Sequence, residues 1–149
     1  MYKRIMVSVD GSDTSNRGLQ EAINLAKDQQ ATLAIAHVID IVVSFGTGQF
    51  PQTYVEATRE LARRTIDGAR ETAHAAGIEA EIQSIEILTS GYHVGDTVAQ
   101  LAREWKADLL VVGTHGRRGV SRLLIGSVAE RIVRVSPCPL LLVRGFPSD

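Results

Sequence analysis

Leu109-Leu110-Val111-Val112-Gly113-Thr114-His115-Gly116 sets four apolar residues directly against a glycine loop. An unbroken apolar run of that length reads as a strand buried on both faces. The loop continues through Arg117, Arg118, Gly119, Ser121 and Arg122 to Gly126-Ser127-Val128, where a helical pattern opens at about residues 128–133. Strand, glycine-rich turn and helix in that order belong to a parallel sheet, whose strands need helical crossovers.

The same alternation extends in both directions from this stretch. Residues 5–9 read as a first strand, and Leu19, Ala22, Ile23 and Ala26 then repeat at helical spacing. Residues 32–38 read as a second strand, followed by a loop holding Gly46, Gly48 and Pro51. A long helix is expected over about residues 54–76, with Ala62, Ile66, Ala69, Ala73 and Ala76 on one stripe and Gly77 as its stop. Residues 79–88 alternate polar and apolar, as a strand near a sheet edge does. Val94, Val98, Leu101 and Trp105 mark a third helix, and residues 140–143 form a last apolar strand entered through Pro137 and Pro139. The order β-α-β-α-β-α-β-α-β predicts one α/β domain over residues 1–149: a doubly wound parallel sheet with helices on both faces.

Composition narrows the function classes. The chain has 149 residues, of which 44% are hydrophobic and 22% charged, with a formal net charge of -1. That is enough chain for one domain with a real core. The near-zero charge argues against a nucleic-acid coat or a protein of charged membrane surfaces. No stretch approaches the roughly 20 apolar residues of a membrane span, and the amino-terminal apolar run is too short for a signal peptide. A soluble, cytoplasmic protein is expected. The lone cysteine, Cys138, reads as a small buried hydrophobe rather than a nucleophile. Thirteen of the sixteen basic residues are arginines, several of them late: Arg117, Arg118, Arg122, Arg131 and Arg134. They suit either a solvated helical face or phosphate recognition.

A doubly wound sheet binds its ligand at the carboxyl ends of the strands, where strand order reverses. Two strands end in residues with chemistry to offer. After the first stands Asp10-Gly11-Ser12-Asp13, where Ser12 and Asp13 suit helix capping. Asp10 divides evenly between a capping role and a ligand role toward a ribose hydroxyl, a base edge or a metal ion. After the fourth strand, Gly113 and Gly116 permit close backbone approach, while Gly126-Ser127 opens a helix with Ser127 as its expected N-cap. Helix N-termini favour anions, so phosphate is the natural occupant. Of His37, His74, His93 and His115, only His115 falls in a candidate site, either bonded to phosphate or exposed on the loop. A Walker A loop, a G-x-G-x-x-G fingerprint, a G-x-S-x-G elbow and a H-E-x-x-H zinc motif are all missing. The apolar last strand, Leu140, Leu141, Leu142 and Val143, would invite a second chain if it lies at an edge.

These residues together resemble the single-domain universal stress proteins. The similarity covers nearly the whole chain, from Asp10-Gly11-Ser12 to Pro137-Cys138-Pro139, and includes the pattern G-x2-G-x9-G-[ST] at Gly113, Gly116, Gly126 and Ser127. That pattern belongs to the ATP-binding members. The resemblance implies a Rossmann-like five-stranded parallel sheet in the order 3-2-1-4-5. It implies that Asp10 and the backbone around Val38 meet adenine or ribose, that Gly113, Gly116, Gly126, Ser127 and Val128 surround ribose and phosphates, and that Arg117 lies nearby. It also implies a homodimer formed through the last strand. Residues 42–53 depart from the common pattern, as does His93, which stands where proline is frequent.

The leading functional expectation is an ATP-binding stress or signalling protein whose nucleotide tunes dimer or partner contacts, with Mg²⁺ carried by the phosphates. A slow ATPase or self-phosphorylating enzyme using Ser121 or Ser127 is a second reading, with Asp10 and His115 as its only acid-base candidates. A nucleotide-free dimeric adaptor is a third. AMP or a cyclic nucleotide in the same crevice is a fourth.

Overall fold

The computed structural model describes residues 1–42, 50–115 and 125–145. Among the described residues five strands, β1 (Arg4–Ser8), β2 (Thr32–Asp40), β3 (Glu81–Ile87), β4 (Leu109–Gly113) and β5 (Leu140–Val143), alternate with four helices. The helices are α1 (Asp13–Gln29), α2 (Gln52–Ala75), α3 (Val94–Trp105) and α4 (Ser127–Val135). All strand pairs are parallel, and the sheet order is β3-β2-β1-β4-β5. Strand order reverses at β1, whose neighbours are β2 and β4. β5 and β3 are the edges.

The period-2 rule of a strand explains the two cores. Ile5 and Val7 of β1, Leu33 and Ile35 of β2, and Leu109 and Val111 of β4 face α1 and α2. Met6, Ala34, Ala36, Leu110 and Val112 point the other way, against α3 and α4. Each fully buried Leu, Ile or Val side chain contributes about 1.5–3 kcal/mol. The central strands are therefore held from both sides, which is why they read as unbroken apolar runs.

The amino ends of the strands are tied by polar side chains. Asp108 accepts from the N–H groups of Lys3 and Arg4 at 2.8 and 2.9 Å. Arg4 donates from Nε and Nη2 to the carbonyl of Trp105 at 3.0 and 2.8 Å, and its guanidinium lies 3.9 Å from the Trp105 ring centre. The indole N–H of Trp105 donates to Glu81 at 2.8 Å. These bonds tie the starts of β1, β3 and β4 to the end of α3.

Several expected boundaries move by one to three residues. α2 begins at Gln52 rather than at 54, because Pro51 supplies the N-cap and its carbonyl accepts from Tyr54 and Val55. β2 continues to Asp40 because β3 pairs with it as far as Asp40↔Ile87. Gly77 follows α2 with φ +86, as its expected role as a stop requires. Cys138 is half-buried, packs against the α3–α4 side of the core, and has its thiol pushed up by burial. Among the described residues no helix is long and apolar enough to cross a membrane.

Candidate functional site

The loop after β1 is fixed by its own side chains. Ser12 is the N-cap of α1, its hydroxyl accepting from Ser15 N–H at 3.2 Å. Asp13 is the first helical residue and puts a negative charge in the first turn. Asp10 takes part in the turn: its N–H donates to the Ser15 hydroxyl, and its Oδ1 accepts from Ser12 N–H, both at 2.9 Å. The side chain of Asp10 thus braces the loop and lines a cleft as well.

The loop after β4 is pinned at both ends. Thr114 donates its N–H to Val143 of β5 at 3.0 Å, and its carbonyl accepts from Gly126 N–H at 2.6 Å. That bond brings His115 and the start of α4 together. The N-cap of α4 is Gly126, not Ser127, and no side chain caps the helix. Gly126 has the extended backbone of a cap (φ -59°, ψ 155°), which leaves Ser127 as the first helical residue. Among the described residues the first-turn N–H groups of α4 have no side-chain acceptor. His115 has its Nδ1 3.0 Å from the Thr114 hydroxyl. Its Nε2 is buried and has no hydrogen-bond partner among the described residues. Gly116, Arg117, Arg118, Ser121 and Arg122 lie outside the described residues.

Asp10, Val38, Gly113, His115, Gly126, Ser127 and Val128 line one cleft of about 590 Å³ at the carboxyl ends of β1, β2 and β4. Its outer wall is Tyr54, Thr58 and Leu61 of α2, together with Tyr92 and His93 before α3. Two histidines join His115 there, contrary to the expectation from sequence. His37 is buried in β2, and His93 caps α3 by accepting from Gly95 N–H at Nδ1, 2.9 Å away. The available signal for His37 was a polar residue near the carboxyl end of an otherwise apolar strand. Two of the late arginines belong to helix surfaces: Arg131 pairs with Asp96 at 2.8 Å and Arg134 with Glu130 at 3.5 Å. Among the described residues no group of three His, Cys, Asp or Glu side chains is placed to hold a metal ion.

A family model described as the universal stress protein family matches residues 1–144. The chain belongs to the universal stress protein family. A universal stress protein of Methanocaldococcus jannaschii is 31% identical over 147 residues, covering 97% of this chain and 83% of the relative. A solved universal stress protein from Burkholderia pseudomallei is 34% identical with a TM-score of 0.75, covering 95% of this chain and 96% of that one. A further universal stress protein, solved in complex with cAMP, is 28% identical with a TM-score of 0.70, covering 95% of this chain and 97% of that one.

Proposed function

We propose that this universal stress protein binds an adenine nucleotide, ATP with Mg²⁺, in the cleft at the carboxyl ends of β1, β2 and β4. Occupancy then alters the surface offered to a partner or to a second copy through β5. The observation that carries this reading is that, among the described residues, no side chain caps the N-terminus of α4 and the Nε2 of His115 beside it has no partner. Backbone N–H groups at a helix start and a buried imidazole nitrogen both suit an anionic oxygen. Ser127 adds a hydroxyl at the same place. Asp10 and the backbone of Val38 face the ribose and the base. The cleft of about 590 Å³ lies within the range typical of small-molecule pockets. The ligands of Mg²⁺ are phosphate oxygens and waters. The relative solved with cAMP supports an adenine nucleotide. The edge position of β5, with Leu140, Leu141 and Leu142 only partly buried, supports pairing with a second copy.

The test uses the purified protein without added nucleotide. It is denatured, the released small molecules are separated by chromatography, and the procedure is repeated after incubation with ATP and Mg²⁺. ATP recovered near one per chain is the expected result. No nucleotide in either sample, with no ATP binding by calorimetry, would leave a dimeric adaptor instead.

A further inference from the structure

The start of α3 fixes the tautomer of a cleft histidine. His93 is the N-cap of α3, with extended backbone (φ -98°, ψ 135°), and its Nδ1 accepts from the N–H of Gly95 at 2.9 Å. An N–H donates only to a bare ring nitrogen, so Nδ1 carries no proton. The neutral ring therefore holds its proton on Nε2, which makes Nε2 a donor. The two ring nitrogens face different ways, so a ring held by its own helix at Nδ1 turns Nε2 away from that helix. Among the described residues Nε2 of His93 has no hydrogen-bond partner.

The segment that carries the ring is fixed in place as well. The carbonyl of His93 accepts from the N–H and the hydroxyl of Thr97 at 3.1 and 3.2 Å. Two residues on, Gly95 lies against the first turns of α4, where a Cβ would meet the carbonyl oxygen of Val128 at 3.0 Å and Cβ of Arg131 at 2.8 Å. Asp96, the acidic residue in the first turn of α3, is paired with Arg131 at 2.8 Å. The starts of α3 and α4 are thus joined, and His93, Val94, Ser127 and Val128 border the same cleft. His93 comes to it from the segment after β3, independently of the glycine loop after β4.

We propose that His93 is a ligand-binding residue whose Nε2–H donates to a phosphate oxygen of the nucleotide from the α3 side of the cleft. The role rests on the nucleotide reading above. A lone donor suits an anionic oxygen better than a base edge, which presents donors and acceptors side by side. A hydrogen bond to a charged acceptor is also about twice as strong as one between neutral groups. The cap prepares this donor. A free imidazole divides between two tautomers and turns about its side-chain bonds, whereas the bond from Gly95 has settled both before a ligand arrives. One ring nitrogen serves the helix and the other is left for the phosphate.

The experiment titrates adenosine, and ATP with Mg²⁺, into the wild-type protein, His93→Asn and His93→Asp by calorimetry. Asparagine and aspartate both cap helices, so α3 keeps its start while the ring donor is lost. The imidazole nitrogens of the wild-type protein are followed by NMR in the same titrations, which keeps the role testable where a variant fails to fold. His93→Asn is expected to bind ATP about five- to tenfold more weakly, and adenosine within about twofold of wild type. His93→Asp is expected to lose more ATP affinity, because it sets a negative charge against the phosphate. The wild-type ring is expected to carry its proton on Nε2 before ligand is added, and to shift that N–H with ATP but not with adenosine. Wild-type ATP affinity in folded His93→Asn, or a ring that answers adenosine as it answers ATP, would overturn the role of His93 and leave it a cap. Wild-type protein that binds neither ligand would overturn the nucleotide reading and this role with it.

Discussion

Gly113 and Thr14 are packed so closely that a Cβ at position 113 would lie 3.0 Å from the backbone carbon, the backbone oxygen and Cγ2 of Thr14. Backbone atoms cannot swing aside as a side-chain tip can. The glycine that opens the phosphate pattern is therefore required by the packing of α1 on β4, whatever the cleft holds. Gly113→Ala is expected to destabilise the protein by about 1–3 kcal/mol through overpacking. Denaturant unfolding checks this: the midpoint should fall with the slope unchanged. An unchanged midpoint would leave Gly113 with a role toward ligand only.

A similar close approach joins α3 to the helix whose start faces the cleft. A Cβ at Gly95 would stand 2.8 Å from Cβ of Arg131 and 3.0 Å from the carbonyl oxygen of Val128. Gly95→Ala should push α4 outward, lowering stability by about 1–3 kcal/mol and weakening nucleotide affinity by displacing Ser127. Calorimetric titration beside thermal unfolding reads both effects. Loss of stability with full affinity would show that the start of α4 does not contact the ligand.

His115 makes the opposite trade. A buried imidazole nitrogen without a partner is a desolvation penalty of about 1–3 kcal/mol that a ligand oxygen would relieve. His115→Leu is expected to leave the ligand-free protein as stable as wild type or more so, by up to about 1 kcal/mol. Nucleotide affinity should drop about five- to tenfold in the same variant. A less stable ligand-free variant with unchanged affinity would make His115 a packing residue.

Acid stability carries a contribution from Glu86 on β3. Arg59 of α2 donates from Nε and Nη2 to its carboxylate at 2.6 and 3.0 Å, and these bonds hold that carboxyl below its ordinary value of 4.5. A folded-state value below the unfolded one means that the stabilisation is complete above 4.5 and disappears as pH falls through the lower folded value. The side chain of Arg59 is half exposed, so solvent screens the pair and its contribution is small. Glu86→Gln should lower stability slightly at pH 7 and not at all once Glu86 of the wild type is protonated in both the folded and the unfolded state. Urea midpoints from pH 7 down to 3 test the convergence.

The sheet was readable because its middle strands are buried on both faces. Ile5 to Val7 and Leu109 to Val112 have no solvent face to alternate toward, so their unbroken apolar runs announce them. The strand order came through resemblance, since apolar runs carry no neighbour information. Asp10, Gly113 and Ser127 could be nominated as site residues because loops after buried strands have few reasons to hold such side chains. His37 is not legible as a cleft residue because a histidine in a strand interior looks like an accommodated core residue; its contact is with the carbonyl of Val9, 28 positions away in sequence. Ser127 is the first helical residue and not the expected N-cap because Gly126 acts as the cap without a side chain. The start of α2 is not legible in the sequence because Pro51 reads as loop, while in the fold its carbonyl accepts from Tyr54 and Val55.

Trp105 is the sole tryptophan, and it is clamped between Arg4 and Glu81 at the amino ends of the strands, across the sheet from the cleft. The molecule thus carries a fluorophore at the end where nothing is expected to bind. Its emission will follow the melting of the sheet and stay level through a ligand titration. A drift in that signal during titration then flags denaturation, and occupancy must be read from another probe.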